Sequence, residues 1–171
     1  MKTYKIECNY VISSFKKHLE VKDHLLKLIE DCPSLPINDA DIISKTDWYV
    51  PSTIQRPYIN FLIENMKPDL DLIMHELKHD RYKLSNYWFQ QYETNNTHKT
   101  HQHTNTTFAC VYYLEFPEDG PKTSIIEPHT EKHIQADVKE GDILVFPAHL
   151  WHYSPPNLSD KRKTVIAINI E

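Results

Sequence analysis

The sequence predicts a mainly β protein, a sandwich or barrel of short strands that follows a helical first half. After residue 81 the chain contains several short runs rich in Val, Ile, Tyr and Phe, with turns between them. These runs are Asn86–Tyr92, Phe108–Phe116, Thr123–Ile126, Ile134–Asp137, Ile143–Phe146 and Thr164–Ile170. The chain has only two glycines, Gly120 and Gly141, and each lies in a turn-forming dipeptide. Before residue 81 the apolar residues recur at helical spacing instead.

The first half predicts about three helices that brace one flank of the β unit. Apolar residues recur at helical spacing over Phe15–Glu30 and again over Arg56–Met66. Pro57 fits the first turn of the second helix, where the missing N–H has no cost. Pro68 is expected to open a third helix in the same way, and this helix is expected to end near Lys78.

Length and composition indicate one globular domain. The chain has 171 residues, of which 40% are hydrophobic and 25% charged, so it is long enough to bury a core. We expect a single domain over residues 1–171, in which helical support (1–82) precedes the β core (83–171).

Charge, hydropathy and cysteine content exclude several classes of protein. The formal net charge of −5 disfavours a nucleic-acid-binding surface. No run approaches the roughly 20 apolar residues that span a bilayer, and the N-terminus has no apolar run typical of a signal peptide. The cysteines are Cys8, Cys32 and Cys110. An odd, sparse set is typical of a reducing compartment, so we expect a cytoplasmic protein without membrane partners.

The histidines carry the chemical signal. Eleven are present, and two of them form the motif His101-Gln102-His103. Residues two positions apart on a strand project from the same face, and His152 follows the later strand Ile143–Phe146. Three such side chains can hold one metal ion and leave other coordination positions open for catalysis. The alternative is a polar strand end with solvated histidines, since an isolated His-x-His motif is weakly specific.

Taken in order, the motifs of the second half resemble the iron(II)/2-oxoglutarate-dependent oxygenases, in particular small bacterial and phage proteins related to prolyl hydroxylases. They cover about residues 84–171 and are His101-Gln102-His103, Cys110–Leu114, Gly141–Pro147, Leu150–His152, Pro155–Asn157 and Lys163…Asn169. The resemblance implies a double-stranded β-helix, a cupin-like jelly roll. It also implies iron(II), 2-oxoglutarate as cosubstrate, oxidation of a substrate C–H bond, and a bacterial or phage-infected cell.

The resemblance assigns catalytic roles to three histidines. His101 and His152 match the first and last iron ligands, and His149 is the less suitable alternative to His152. His103 stands where most members carry Asp or Glu. Either three imidazoles bind the iron, or two do and another group completes the site; the first reading is favoured.

The far carboxylate of 2-oxoglutarate needs a buried cation, which the family places about ten residues after the last histidine. Lys163 and Arg162 both lie there. Strand alternation puts Lys163 on the side of the smaller residues Ala167 and Asn169, and Arg162 on the side of Ile166, so Lys163 is favoured.

Tyr112 matches a family tyrosine that hydrogen-bonds the same carboxylate, although a core tyrosine with a satisfied hydroxyl is an equal alternative. Trp88, Gln90 and Tyr92 are expected to line the pocket from the strand before His101.

Two other functions remain open from the sequence. A cupin-type metal dioxygenase with three histidines and no 2-oxoglutarate is favoured if Lys163 and Arg162 both point to solvent. A non-catalytic jelly-roll module is favoured if His101 and His152 lie too far apart to share an ion. The substrate carries no readable code, so a small molecule and a protein side chain both fit, and no motif indicates an oligomeric state.

Overall fold

Two antiparallel sheets and two helices make up the part of the chain that the computed structural model describes, residues 2, 8–36 and 43–171. The helices are α1 (His18–Glu30) and α2 (Pro57–Glu76). The strands are β1 (Val11–Ser14), β2 (Leu35–Pro36), β3 (Lys45–Thr46), β4 (Leu84–Tyr92), β5 (His98–His101), β6 (Phe108–Glu115), β7 (Ser124–Ile126), β8 (His133–Gln135), β9 (Asp142–Pro147), β10 (His152–Ser154) and β11 (Lys163–Ile170). Within the described ranges, neither helix is long and apolar enough to cross a membrane.

The larger sheet has seven strands in the order β1-β9-β6-β11-β4-β3-β2, and the smaller has four in the order β5-β10-β7-β8. Every residue of β11 is buried, because the helices cover one face of the larger sheet and the smaller sheet covers the other. Ile166 and Ile168 therefore pack towards the helices, whereas Val165 packs in the second core towards the smaller sheet.

Two apolar cores result from this layering. The core between the helices and the larger sheet joins Leu25 of α1 and Leu62 of α2 to Phe89 of β4. The core between the two sheets joins Ile125 of β7 to Phe146 of β9. The space between the sheets also contains polar residues, and these build the candidate site.

The prediction of a third helix beginning at Pro68 is wrong, because Pro68 lies inside the single helix α2. A proline within a helix lacks one hydrogen bond and crowds a carbonyl, at a cost of about 3 kcal/mol. The apolar stripe of α2 continues past it, and Met66 and Leu70 on either side are 0% and 1% exposed. Burying each such side chain contributes roughly 1.5–3 kcal/mol, so packing offsets the defect.

Several strands were absent from the sequence prediction. β1 pairs with β9, with Val11 opposite Val145, and α1 begins at His18 rather than at Phe15. β5 and β10 are short and contain few residues of high strand propensity. They form because their backbones pair with each other and because β10 also pairs with β7.

Candidate metal centre

The three histidines singled out by the sequence converge in the structure. β5 ends at His101 and β10 begins at His152, and these two residues lie directly opposite each other in the smaller sheet. Their ring centroids are 4.2 Å apart, and the His103 ring lies 5.3 Å from His101 and 5.1 Å from His152. One ligand atom from each residue lies within 4.8 Å of the others, so the group can hold one metal ion after small side-chain rotations.

Hydrogen bonds fix which nitrogen of each ring is free. The Nδ1 atom of His101 lies 2.8 Å from the Lys99 carbonyl oxygen, and that of His152 lies 2.9 Å from the Leu150 carbonyl oxygen. The Nδ1 atom of His103 lies 2.6 Å from the side-chain oxygen of Asn169. Carbonyl oxygens only accept, so each Nδ1 carries the proton and each Nε2 keeps a free lone pair. This arrangement is typical of histidines that bind a metal.

Burial keeps these imidazoles neutral. It lowers the pKa of His152 to about 3 and moves the pKa values of His101 and His103 below their usual range. Metal binding requires unprotonated imidazole, so all three rings are in the ligand form at neutral pH.

Asn169 has a role that sequence reasoning missed. It lies on β11, and its amide oxygen accepts a hydrogen bond from the Nδ1–H group of His103. Strand alternation places Asn169 on the same face as Lys163, and this much follows from the sequence. The sequence does not show that Asn169 pairs with His103. The backbone N–H of His103 also donates to the Ala148 carbonyl at 2.9 Å, which fixes the loop after β5.

Lys163 is a buried cation without a charged partner among the described residues. It is 1% exposed, and its Nζ donates to the Pro121 carbonyl and to Ser154 Oγ, both at 2.8 Å. The rings of Tyr92 and Tyr113 lie 4.7 Å and 5.8 Å from Nζ. Burial lowers the pKa of Lys163 to about 7. A buried ammonium surrounded by dipoles and π faces is a ready binding site for an anion.

Two connected spaces surround the histidines. A narrow inner cavity of about 30 Å³ is lined by Lys163 as well as by the three histidines. A wider outer cavity of about 400 Å³ is lined by His101 and His103. The expectation that Trp88, Gln90 and Tyr92 line the pocket is confirmed, since all three border the inner cavity and the first two also border the outer one.

His98 is a further cavity residue that the sequence analysis did not single out. Its ring lies 4.1 Å from that of His101, and it borders both cavities. Its Nδ1 lies 3.5 Å from Gln90 Nε2. Since the Gln90 amide nitrogen donates, the proton of His98 sits on Nε2, the reverse of the arrangement in His101, His103 and His152.

The prediction that Tyr112 contacts the cosubstrate is wrong. Tyr112 is buried on the opposite face of β6, where its hydroxyl forms a 2.7 Å hydrogen bond with Nδ1 of His18 on α1. Both faces of β6 are buried, so an apolar face alone does not indicate the side of the pocket. The next residue, Tyr113, faces Lys163, and its hydroxyl is bonded to Thr123 Oγ1 at 2.6 Å.

The alternative anchor Arg162 also lies outside the cavity. Its guanidinium forms two hydrogen bonds with the Glu115 carboxylate, at 2.9 and 3.2 Å. Alternation separates it from Lys163, whose side chain enters the cavity. His149 is exposed and takes no part in the histidine group.

Part of the chain matches a family of known oxygenases. Residues 84–165 match the family model PhyH, phytanoyl-CoA dioxygenase. The resemblance to the iron(II)/2-oxoglutarate oxygenases is confirmed. No curated protein sequence is significantly similar to the chain.

Solved structures of these oxygenases share the fold. The alpha-ketoglutarate-dependent epimerase SnoN from nogalamycin biosynthesis has a TM-score of 0.74 at 12% identity, covering 96% of this chain and 78% of that chain. A Pseudomonas putida prolyl-4-hydroxylase has a TM-score of 0.67 at 14% identity, covering 96% and 92%. A viral collagen prolyl hydroxylase from Paramecium Bursaria Chlorella virus-1 has a TM-score of 0.59 at 16% identity, covering 94% of each chain. The chain therefore has the jelly-roll fold of the 2-oxoglutarate oxygenases, with two described helices where about three were predicted.

The contact between Asn169 and His103 leads to a prediction about metal affinity. Asn169→Ala removes the acceptor that holds the ring of His103 and its Nδ1 proton, so we expect iron(II) to bind about 10- to 100-fold more weakly. Anaerobic competition with a chromogenic chelator measures this affinity. Asn60→Ala, an exposed asparagine on α2, is the matched control. Equal affinity in the two variants would contradict the proposed role.

Proposed function

We propose that this protein is an iron(II)- and 2-oxoglutarate-dependent dioxygenase in which His101, His103 and His152 bind the metal and Lys163 binds the cosubstrate. The observation that carries the proposal is the shared inner cavity, in which a buried ammonium lies with three free imidazole nitrogens and has no counter-charge among the described residues. A metal and a cation held in one cavity suit a dianion that binds iron at one end and the lysine at the other.

The ligand set fits an iron centre that stays open. His101, His103 and His152 would hold the ion through their Nε2 atoms, and three protein ligands would leave coordination positions open for the cosubstrate. Bound iron(II) supplies the oxidation, in which dioxygen and 2-oxoglutarate yield succinate, carbon dioxide and a hydroxyl on the substrate carbon. A His103 imidazole brings no charge, so the near carboxylate of 2-oxoglutarate would offset part of the charge of iron(II), while the far carboxylate would pair with Lys163.

The chain's own residues bind, orient and exclude water. Lys163 and the Ser154 hydroxyl are the donors available to the far carboxylate, and the rings of Tyr92 and Tyr113 wall that end of the cavity. The inner cavity is narrow, so binding of 2-oxoglutarate requires side chains to turn aside. Gln90, which borders both cavities, is placed to do so.

Lys163 and the histidine group disfavour the two other functions. A three-histidine dioxygenase without 2-oxoglutarate predicts that Lys163 and Arg162 both face solvent, and only Arg162 lies outside the cavity. A non-catalytic module predicts widely separated histidines, whereas the rings of His101 and His152 are 4.2 Å apart.

We propose that the substrate is a small molecule or a protein side chain, since similar structures include an epimerase of nogalamycin biosynthesis and prolyl hydroxylases. The net charge of −5 disfavours nucleic acid. We assign the catalytic core to residues 83–171 and structural support to residues 1–82. The unpaired cysteines and the similar viral hydroxylase support the cytoplasm of a bacterial or phage-infected cell.

The proposed activity is tested by succinate formation. Purified protein is expected to convert 2-oxoglutarate to succinate only when iron(II) and oxygen are both present. This conversion is expected even without substrate, at a slow rate. His101→Ala and His152→Ala should each abolish metal binding and succinate formation, because each removes one of three ligands. His149→Ala, which alters an exposed histidine nearby, should keep both. Absence of 2-oxoglutarate binding by metal-loaded protein would refute the proposal.

Lys163 and Arg162 form a matched pair for testing the anchor. Lys163→Met should weaken 2-oxoglutarate binding by at least about 30-fold, or about 2 kcal/mol, since the bound carboxylate loses its buried cation. Arg162→Met should leave this affinity within a few-fold. Anaerobic calorimetry with Mn(II) in place of iron gives both values, and metal binding should persist in each. A larger loss in Arg162→Met would reverse the assignment.

The buried amine also predicts a pH dependence of 2-oxoglutarate binding. Burial lowers the pKa of Lys163 to about 7, whereas an exposed lysine titrates near about 10.4. At a pH between these two pKa values, the lysine holds a proton in the unfolded chain but not in the folded, ligand-free chain. The free energy of unfolding therefore rises with pH across this range. A bound carboxylate raises this pKa again, so binding takes up a proton and affinity falls by up to about tenfold per unit above pH 7.

Calorimetry in buffers of different ionisation enthalpy measures the proton uptake. Lys163→Met should abolish it, and uptake that persists in this variant would assign the proton to another group.

A further inference from the structure

Two indoles form a corner beside the metal centre. The ring centroids of Trp48 and Trp88 lie 4.4 Å apart with their planes 69° to each other. The ring centroid of Trp88 in turn lies 5.7 Å from that of His103, one of the proposed metal ligands. Tyr49 completes this aromatic corner, defined here as Trp48, Tyr49 and Trp88, and all three residues line the outer cavity.

The corner leaves much aromatic surface in water. Trp48 is 50% exposed and Tyr49 is 63% exposed, while Trp88 is 5% exposed and forms the floor. Large aromatic surfaces beside a cavity mark binding sites, because a ligand that covers them removes apolar area from water. A flat ring has the best geometry, since it can stack on one indole and present its edge to the other.

A buried carboxylate ties together the backbone segments that carry the two indoles. Asp47 is 0% exposed and precedes Trp48, and its carboxylate accepts hydrogen bonds from the backbone N–H of Phe89 and from Nε of Arg56, both at 2.8 Å. Phe89 directly follows Trp88, so the bond ties together the two segments that carry the rings. A corner fixed before binding does not pay the entropy of ordering its side chains.

Apart from Ile43, the remaining described lining of the outer cavity is polar, and it carries no Asp, Glu, Lys or Arg. The primary amides of Asn86 and Gln102 each offer a donor and an acceptor to the edge of a ligand. A charged group placed here would lose hydration without an opposite charge among these residues. The volume of about 400 Å³ suits a molecule of one or two rings.

We propose that the outer cavity binds its substrate through an uncharged aromatic or heteroaromatic ring that stacks in the aromatic corner. This inference rests on the proposed function, because the bound ring counts as part of a substrate only if a catalytic metal lies beside it. The binding itself depends on the outer cavity and not on catalysis, so it can be tested separately from turnover.

The test uses benzamide, which combines an uncharged aromatic ring with a primary amide. ¹H–¹⁵N NMR spectra of the full chain, loaded with Zn(II) and 2-oxoglutarate and also without either, resolve the indole N–H signals of its three tryptophans. Benzamide should shift the signals of Trp48 and Trp88 in a saturable way. Trp151 lies outside both cavities and its signal should stay in place.

Matched probes and variants separate stacking from general stickiness. Cyclohexanecarboxamide has the amide without the flat ring, and benzoate has the ring with a charge; each should bind at least about tenfold more weakly than benzamide. Trp48→Ala should weaken benzamide about tenfold and Trp48→Phe much less. Trp151→Ala, which removes an equally exposed indole, should have no effect, since Trp151 is 49% exposed and Trp48 50%.

Three results would overturn the proposal. These are the absence of any shift at Trp48 and Trp88, equal binding of benzamide and cyclohexanecarboxamide, and preference for benzoate in the presence of 2-oxoglutarate. Benzamide binding without succinate formation would leave the ring site standing and refute the proposed function. Succinate formation without ring binding would do the reverse.

Discussion

The alternation of side chains along β11 is the constraint on which the site depends. This strand is buried on both faces, so each of its residues must suit one of two different environments. Ile166, Ile168 and Ile170 occupy the face towards the helices, where they belong to an apolar core. Lys163 and Asn169 occupy the other, and there they contribute the buried cation and the acceptor for His103. A slip of one residue in the pairing with β4 and β6 would exchange these faces and destroy core and site together.

The electrostatics of the site follow from this placement. The three histidines donate their Nδ1 protons to neutral oxygens, so the described ligand set carries no negative charge. Lys163 adds a second group whose charge has no carboxylate nearby among the described residues. An ion and an ammonium held together would repel each other, and the buried amine already has a lowered pKa without the metal. In the proposed function, a dianion that reaches both centres would remove this cost, so cosubstrate binding would stabilise the charged form of Lys163.

Sequence patterns predicted the parts that depend on local periodicity. The strand alternation that favoured Lys163 over Arg162 is confirmed, because the smaller residues do face the cavity. The same reasoning failed for Tyr112, since a strand in the central layer is apolar on both faces and its pattern does not tell them apart. The prediction of a helix boundary at Pro68 was wrong because the tertiary packing of α2 outweighs the local helix-breaking effect of proline. Asn169 and His98 were missed because their partners belong to other elements of the fold: His103 in the loop after β5 for Asn169, and Gln90 on β4 for His98.

The helical half of the chain has more than a supporting role. The match to the oxygenase family begins at residue 84, yet the outer wall of the cavity comes from Trp48 and Tyr49. This segment is held to β4 through Asp47, and Thr46 Oγ1 donates to the Phe89 carbonyl at 2.6 Å beside it. In the proposed function, the jelly roll carries the groups that bind metal and cosubstrate, while a segment outside the matched region lines the outer cavity. Substitutions at the exposed Trp48 and Tyr49 can then alter this wall without removing the buried hydrogen bonds that Thr46 and Asp47 make with β4.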